Sequence, residues 1–316
     1  MNKLSLADTH CDTAYELFCR KESITQNSCH ISLDRARCYE HYTQFFAIWA
    51  NKRLNDDQAY DDYIRISDNF FAEVKKVENK ISIVSGFDEM KQAHRDGKAA
   101  AFCAVEDARI LGKKIERLEE LKKRGVKYLT LMWGGTSCIG GSHNVRGGLT
   151  EFGKQVVHEC FKNGITPDIS HSNTETADDV ANIAYMYNKP FIATHSNSYS
   201  IYPHSRNLHD EHLAAIIELG GTVGINLCPY HLCDMSEGKT CNVENVIPHI
   251  ERYLSLGAED NICLGCDLDG SSLPDGFSGV DDLVKIAECM SNHGYSDELI
   301  NKLFCNNLYR FIEKNM

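Results

Sequence analysis

Positive charge is in short supply in this chain: 33 Lys and Arg stand against 45 Asp and Glu, a formal net charge of −12 at pH 7. That balance argues against nucleic-acid binding through a basic surface. No apolar run approaches the ~20 residues that a membrane span needs, so no membrane association is expected. The opening Met1-Asn2-Lys3-Leu4-Ser5-Leu6-Ala7-Asp8 has no long apolar stretch before its first charge, and no signal peptide is expected. Pro/Ser-rich linkers, low-complexity tracts and repeats are also absent, which predicts one domain over residues 1–316. Gly134-Gly135 and Gly140-Gly141 do not open a helix in a dinucleotide fingerprint, so a nucleotide cofactor is not expected. Cysteine, by contrast, is plentiful. Without an export signal, the 14 cysteines fit reduced thiols in a cytoplasmic protein better than a disulfide framework.

What is present is a regular alternation. Apolar runs rich in β-branched or aromatic residues at Leu4–Asp12, Thr43–Trp49, Ala99–Glu106, Tyr128–Trp133, Thr166–His171, Phe191–His195, Thr222–Leu227 and Asn261–Asp267 read as strands. Amphipathic segments at Asp56–Val77, Glu116–Arg124, Glu151–Asn163, Glu175–Tyr187, Asp210–Leu219 and Val243–Leu256 read as helices, with Gly164, Gly220 and Gly257 as caps after three of them. The alternation predicts an α/β fold, a TIM-like (β/α)8 barrel of the metal-dependent hydrolase type. The helical stretch Val280–Met316 is expected to pack outside it.

Five of the apolar runs end in metal-type side chains: Asp8-Thr9-His10-Cys11-Asp12, Val105-Glu106-Asp107, Asp168-Ile169-Ser170-His171, Ala193-Thr194-His195-Ser196 and Gly265-Cys266-Asp267-Leu268-Asp269-Gly270. Ligands delivered from several strand ends meet at one barrel mouth, which makes a metallohydrolase the first reading. Side chains alternate along a strand, so His10 and Asp12 share a face and can hold one cation, zinc or a neighbouring divalent metal. Glu106 can bridge two metals or pair with Arg109 or Lys113. His171 and His195 suit a second metal, although either alone is more often a core histidine. Asp267 and Asp269 share a face; the first suits a proton shuttle or an ammonium partner, and the second can organise the following turn. Arg206 suits capture of a carboxylate, with a surface salt bridge as the alternative. His94, His158, His204, His209 and His212 read as surface residues. Within a strand, Cys263 and Cys266 point to opposite faces and cannot both chelate.

Several of these blocks, together with Tyr128-Leu129-Thr130-Leu131, Gly148-Leu149-Thr150-Glu151-Phe152-Gly153 and Arg206-Asn207, resemble the membrane (renal) dipeptidase family of zinc metallopeptidases. The resemblance runs from Leu6 to the Leu303–Phe311 region. It implies two Zn2+ per chain, with His10 and Asp12 on one, Glu106 bridging, and His171 and His195 on the other. It further implies a hydroxide shared by the metals as nucleophile, Arg206 on the substrate carboxylate, and Asp267 on its amino group and in proton transfer. Dipeptides or similar small molecules are the implied substrates, and a homodimer is compatible with the chain.

This chain departs from that pattern in three places. Met132-Trp133 stand where better-known members have a substrate-contacting histidine, and Trp133 can offer only its indole N–H. Asp107-Ala108, not glycines, follow Glu106. Asn226-Leu227-Cys228-Pro229-Tyr230 loosely matches a region that supplies a substrate tyrosine, here Tyr230. Three readings follow: a zinc dipeptidase, a barrel amidohydrolase acting on N-acyl amino acids or other small amides, and a non-catalytic metal-binding scaffold.

Overall fold

Eight parallel strands form one sheet in the computed structural model, which describes residues 3–316. They are β1 (Leu6–Cys11), β2 (Tyr42–Trp49), β3 (Ile81–Ile83), β4 (Ala99–Glu106), β5 (Val126–Thr130), β6 (Thr166–Asp168), β7 (Val223–Ile225) and β8 (Ile262–Leu264). The hydrogen-bonded order is β6-β5-β4-β2-β1-β8-β7. The gap between β6 and β7 is filled by the expected Phe191–His195 segment, held by bridges Asp168↔Ile192 and Ala193↔Val223 rather than by a full ladder. That segment completes a ring of eight. The sequence reading missed β3, which pairs with Ala99–Ala101 at the foot of β4, below the stretch that pairs with β5.

Alternation along the strands fills the ring. Phe45 and Ala47 of β2, Ala100, Phe102 and Ala104 of β4, and Tyr128 of β5 form one buried cluster, while Phe46, Ile48, Ala101, Cys103 and Val105 join another that includes the surrounding helices. The interior is thus a packed core rather than a pore, as barrel interiors are. Cys263 belongs to the first cluster and Cys266 to the second, on opposite faces as expected. All 14 cysteines are free.

The carboxy-terminal segment does more than pack outside. Leu308, Phe311 and Ile312 of the helix Asn307–Asn315 join the inner cluster, and Asn307 Nδ2 donates to the Ile262 carbonyl at the start of β8 (2.8 Å). This helix therefore closes the amino-terminal mouth. The opposite mouth is left for chemistry, where this fold class builds its sites.

Helix Asp56–Lys76 starts with an Asn55/Gln58 capping box. Helix Glu151–Asn163 stops at Gly164, whose φ of 72° lies in the left-handed region. Helices Thr13–Arg20 and Phe87–Arg95 were not anticipated. The strands also end earlier than their apolar runs, β5 at Thr130, β6 at Asp168 and β8 at Leu264. The chain turns sharply beyond two of them: His171 (φ 69°), Asp267 (φ 58°) and Asp269 (φ 69°) are all left-handed. A period-two argument fails across such residues. Asp267 and Asp269 accordingly do not share a face.

Candidate metal centre

Six of the side chains expected at the barrel mouth converge. The end of β1 supplies His10 and Asp12, the last residue of β4 is Glu106, and His171, His195 and Asp267 follow the next strand ends. Glu106 Oε1 lies 3.0 Å from His171 Nε2 and 3.4 Å from His195 Nε2. Its Oε2 faces the other way, 3.8 Å from His10 Nε2. His10 Nε2 also stands 4.0 Å from Asp12 Oδ2 and 3.8 Å from Asp267 Oδ1. One buried carboxylate therefore touches two ligand sets, His10/Asp12 and His171/His195. Neither alternative partner pairs with Glu106: Arg109 pairs with Asp107 (3.1 Å) and Asp56 (3.3 Å), and the ion-pair partners of Glu106 are histidines, not Lys113.

Surrounding hydrogen bonds fix which ring nitrogen each histidine presents. Tyr128 OH donates to the Thr9 carbonyl (2.9 Å), so its oxygen accepts from His10 Nδ1 (2.9 Å). His171 Nδ1 donates to the Trp133 carbonyl (2.9 Å). Thr194 Oγ1 donates to Asp168 Oδ2 (2.6 Å) and accepts from His195 Nδ1 (2.8 Å). Each Nδ1 thus carries the proton, and all three Nε2 lone pairs point into the cluster. His171 Nε2 and His195 Nε2 face each other at 3.0 Å. Two lone pairs at that distance repel unless a cation lies between or beside them.

The charges lead to the same conclusion. Burial lowers the His10 pKa to about 3 and drives those of His171 and His195 well below the usual value, so the imidazoles stay neutral. Burial and then the neighbouring Asp267 push Asp12 up; burial, Asp12 and Asp267 do the same for Glu106. Asp267 rises to about 6 through burial, against the pull of Arg206. His10 Nε2 and Asp12 Oδ1 are buried without a hydrogen-bond partner. Such orphaned groups cost about 1–3 kcal/mol or more each. Imidazole nitrogens with carboxylate oxygens are the donor set of zinc and its neighbours. The residues fit a divalent metal.

Behind these ligands stands a layer that strand-end patterns did not reveal. Asp168 is fully buried; Oδ1 accepts the Ser170 and Thr194 N–H groups, and Oδ2 the Thr130 and Thr194 hydroxyls, at 2.6–2.9 Å. Asp8 accepts from the N–H groups of His10 (2.8 Å) and Cys266 (2.9 Å), tying the ends of β1 and β8 together. Gly265 permits this crowding, since a Cβ there would lie 1.8 Å from the Thr194 carbonyl oxygen. Asp168→Asn removes an acceptor from two hydroxyls and frees the Thr194–His195 contact. Metal affinity should fall about 10–100-fold, the usual effect of losing an orienting partner. Unchanged affinity in a metal-competition titration would show that Asp168 does not orient His195.

Arg206 is buried, 5% exposed, and its Nε, Nη1 and Nη2 all lack partners. It is not the surface salt bridge that the sequence also allowed. Trp133 sits beside the cluster with its ring 6.1 Å from that of His171, and its carbonyl holds His171. Tyr230 does not join. It is 59% exposed on the short helix Pro229–Leu232, which buries Leu232 and turns residue 230 to solvent. Asp269 accepts from Thr13 Oγ1 and the His30 N–H, both at 2.6 Å, and organises the turn. The surface assignment of the other histidines also needs correction. His212 is buried against Asp178 (2.9 Å), and His94, His158, His204 and His209 are part-buried. His143, which the sequence reading passed over, has a ring 5.8 Å from that of His171.

Comparison with known proteins adds independent findings. The family model described as membrane dipeptidase (peptidase family M19) matches residues 1–315. An uncharacterized protein in the pqqA 5′ region of Klebsiella pneumoniae is 31% identical over 174 residues, 55% of this chain and 63% of that protein. Dipeptidase tcpJ of Claviceps purpurea (strain 20.1) is 26% identical over 234 residues, 72% of this chain and 53% of that one. The chain thus covers less than two thirds of the length of either curated relative. The crystal structure of a metallo peptidase from Rhodobacter sphaeroides, liganded with a phosphinate mimic of the dipeptide L-Ala-D-Ala, superposes with a TM-score of 0.91 at 25% identity, covering 100% of both chains.

Proposed function

The chain belongs to the membrane dipeptidase family, peptidase family M19, and from that premise we propose that it is a metallo-dipeptidase that hydrolyses free dipeptides with two zinc ions. His10 and Asp12 would hold one ion, His171 and His195 the other, and Glu106 would be shared. The carrying observation is the pair of ligand sets on the two oxygens of Glu106, beside a buried guanidinium with no partner. Metals held there would supply Lewis acidity and a water of lowered pKa.

The chain's own residues do the rest. Arg206 binds the substrate carboxylate, because a buried guanidinium with three unpartnered nitrogens is compensated by a planar anion. Asp267 has Oδ1 toward His10 and Oδ2 held by Asn226 Nδ2 (3.4 Å). It binds the substrate ammonium group and can take up or release a proton there. A site that binds both charged ends admits dipeptides and rejects longer chains. The mimic bound by the Rhodobacter sphaeroides protein supports that substrate class. Trp133 has no ring nitrogen lone pair to offer, so its side chain can give a substrate only its indole N–H, while its carbonyl holds His171. A cytoplasmic location is supported by the 14 free thiols, and no helix among the described residues is long and apolar enough to cross a membrane.

Zinc-loaded protein should hydrolyse free dipeptides and lose more than about tenfold in kcat/KM when either terminus is blocked, the effect of one lost charge-assisted hydrogen bond. Faster cleavage of N-acetylated substrates would transfer the site to the amidohydrolase reading. Zinc binding without turnover of any of these substrates would leave only the scaffold.

A further inference from the structure

Away from the barrel mouth, one other set of side chains is gathered as metal ligands are. Glu244, Cys289 and His293 each bring one donor atom within 4.8 Å of the other two. None of them belongs to the cluster around Glu106, and none ends a strand.

Local structure explains the gathering. Helix Val284–Asn292 ends at His293, whose N–H donates to the Cys289 carbonyl (3.0 Å). Residues four apart in a helical turn lie one above the other, so the thiol and the imidazole share a face. Glu244 comes from the one-turn helix Val243–Asn245, which an Asn242/Asn245 capping box holds. Its carboxylate faces both partners: Oε1 accepts from Cys289 Sγ (3.4 Å) and Oε2 from His293 Nε2 (2.8 Å).

An ordinary surface ion pair accounts for only part of this arrangement. An exposed His–Glu pair contributes about 0–1 kcal/mol and has no use for a thiol. A Cys–His nucleophile is a poor fit, because the thiol contacts the carboxylate and not the imidazole. Burial, and then that carboxylate, push the thiol up to about 11, away from the thiolate that a nucleophile needs. A divalent cation uses all three groups. Thiolate, imidazole and carboxylate are the zinc ligand types, and donors on one tetrahedral zinc stand about 3.3–3.7 Å apart. The Sγ–Oε1 separation already meets that spacing, and small side-chain movements bring in the imidazole.

We propose that Glu244, Cys289 and His293 form a further zinc site, with water in the fourth position, that ties the segment entering helix Ile247–Ser255 to the end of helix Val284–Asn292. On binding, the thiol proton leaves to solvent and the neutral imidazole keeps its proton on Nδ1. The thiolate and the carboxylate then balance the charge of Zn2+. The sulfur ligand favours zinc over magnesium, calcium or manganese. Cys289 is 4% exposed, but the Glu244 and His293 side chains are 62% and 40% exposed. The ion therefore exchanges readily, and dialysis removes it before any metal held at the buried barrel mouth.

Sulfur gives this site a signature that the barrel-mouth ligands, which include none, cannot produce. Zinc-loaded protein, dialysed and kept reduced with a thiol-free reductant, is titrated with Co2+. A thiolate-to-cobalt charge-transfer band should rise in the near ultraviolet, saturate at one ion per chain and disappear on adding excess Zn2+. Cys289→Ser should lose the band. Glu244→Ala and His293→Ala should each weaken binding by more than about tenfold, since losing a ligand costs more than losing a partner that merely orients one. Both of these side chains are exposed, so their variants keep the fold even where a change at Cys289 disturbs packing. No band at saturating Co2+ overturns the proposal. So does a band that survives Cys289→Ser, or one whose titration is unmoved in both alanine variants.

Discussion

Glu106→Gln should leave the purified protein short of two divalent ions per chain and reduce dipeptide hydrolysis by well over about 100-fold. Loss of a partner that merely orients a ligand costs about 10–100-fold, and Glu106 stands in direct reach of both ligand sets. The carboxylate has one oxygen at 3.0 Å from His171 Nε2 and the other at 3.8 Å from His10 Nε2. A neutral amide keeps the shape but presents one oxygen and one NH2, so it can serve a cation on one side only. Metal content by mass spectrometry and activity should therefore fall together. Two tightly held ions in the Gln variant would mean that Glu106 does not bridge, and the two-metal arrangement would have to be abandoned.

The second large effect has opposite signs on activity and stability. Arg206→Met removes a buried charge that has no partner within the protein. Replacing buried ionic groups by apolar ones of similar volume is often neutral or stabilising by about 1–4 kcal/mol, so the metal-free variant should melt at a higher temperature than the unmutated protein. Its kcat/KM for free dipeptides should nonetheless fall more than about tenfold, and the penalty for amidating the substrate's carboxy terminus should shrink, because the group that reads that terminus is gone. Calorimetry and the paired substrates check both halves. A variant that melts lower and still discriminates against the amide would show that Arg206 is a structural cation and that another group reads the carboxylate.

The two effects share one physical origin. The site proposed to bind a dipeptide concentrates groups that the empty protein cannot satisfy. Three imidazole lone pairs, crowded carboxylates and a lone guanidinium all lie at the mouth of a barrel whose lower interior is packed with apolar side chains. Strain of this kind persists only where the surrounding fold holds it in place. Here the Asp168 and Asp8 networks and the helix plugging the far mouth provide that support.

Much of this was legible in the sequence because the relevant signals are local. Apolar runs of β-branched and aromatic residues marked seven of the eight sheet strands and the bridging Phe191–His195 segment, since a strand buried on both faces must be apolar throughout. The polar side chain that ends each run marked the mouth, and the five expected ligands all converge there. The alternation of Cys263 and Cys266 was equally readable, because both lie within reach of β8. Short β3 escaped notice because three residues carry no period.

Only tertiary structure decided the remainder. Asp267 and Asp269 have the same spacing as two residues on one strand face, yet positive φ at both turns one into the cluster and the other to Thr13 and His30. Tyr230, on a one-turn helix, and His143, in a loop, are both single residues outside the strand pattern; packing exposes the first and sets the second beside His171. The tautomers of His10, His171 and His195 depend on Tyr128, Trp133 and Thr194, and the role of Thr194 depends in turn on Asp168. No period or motif connects Asp168 with both Thr130 and Thr194. Residue type and burial pattern are written along the chain, so the sequence by itself determined the barrel and its ligand types. Hydrogen bonds between segments distant in sequence form only after the ring closes, and they decided which atoms face the candidate metal site and which charge was left without a partner.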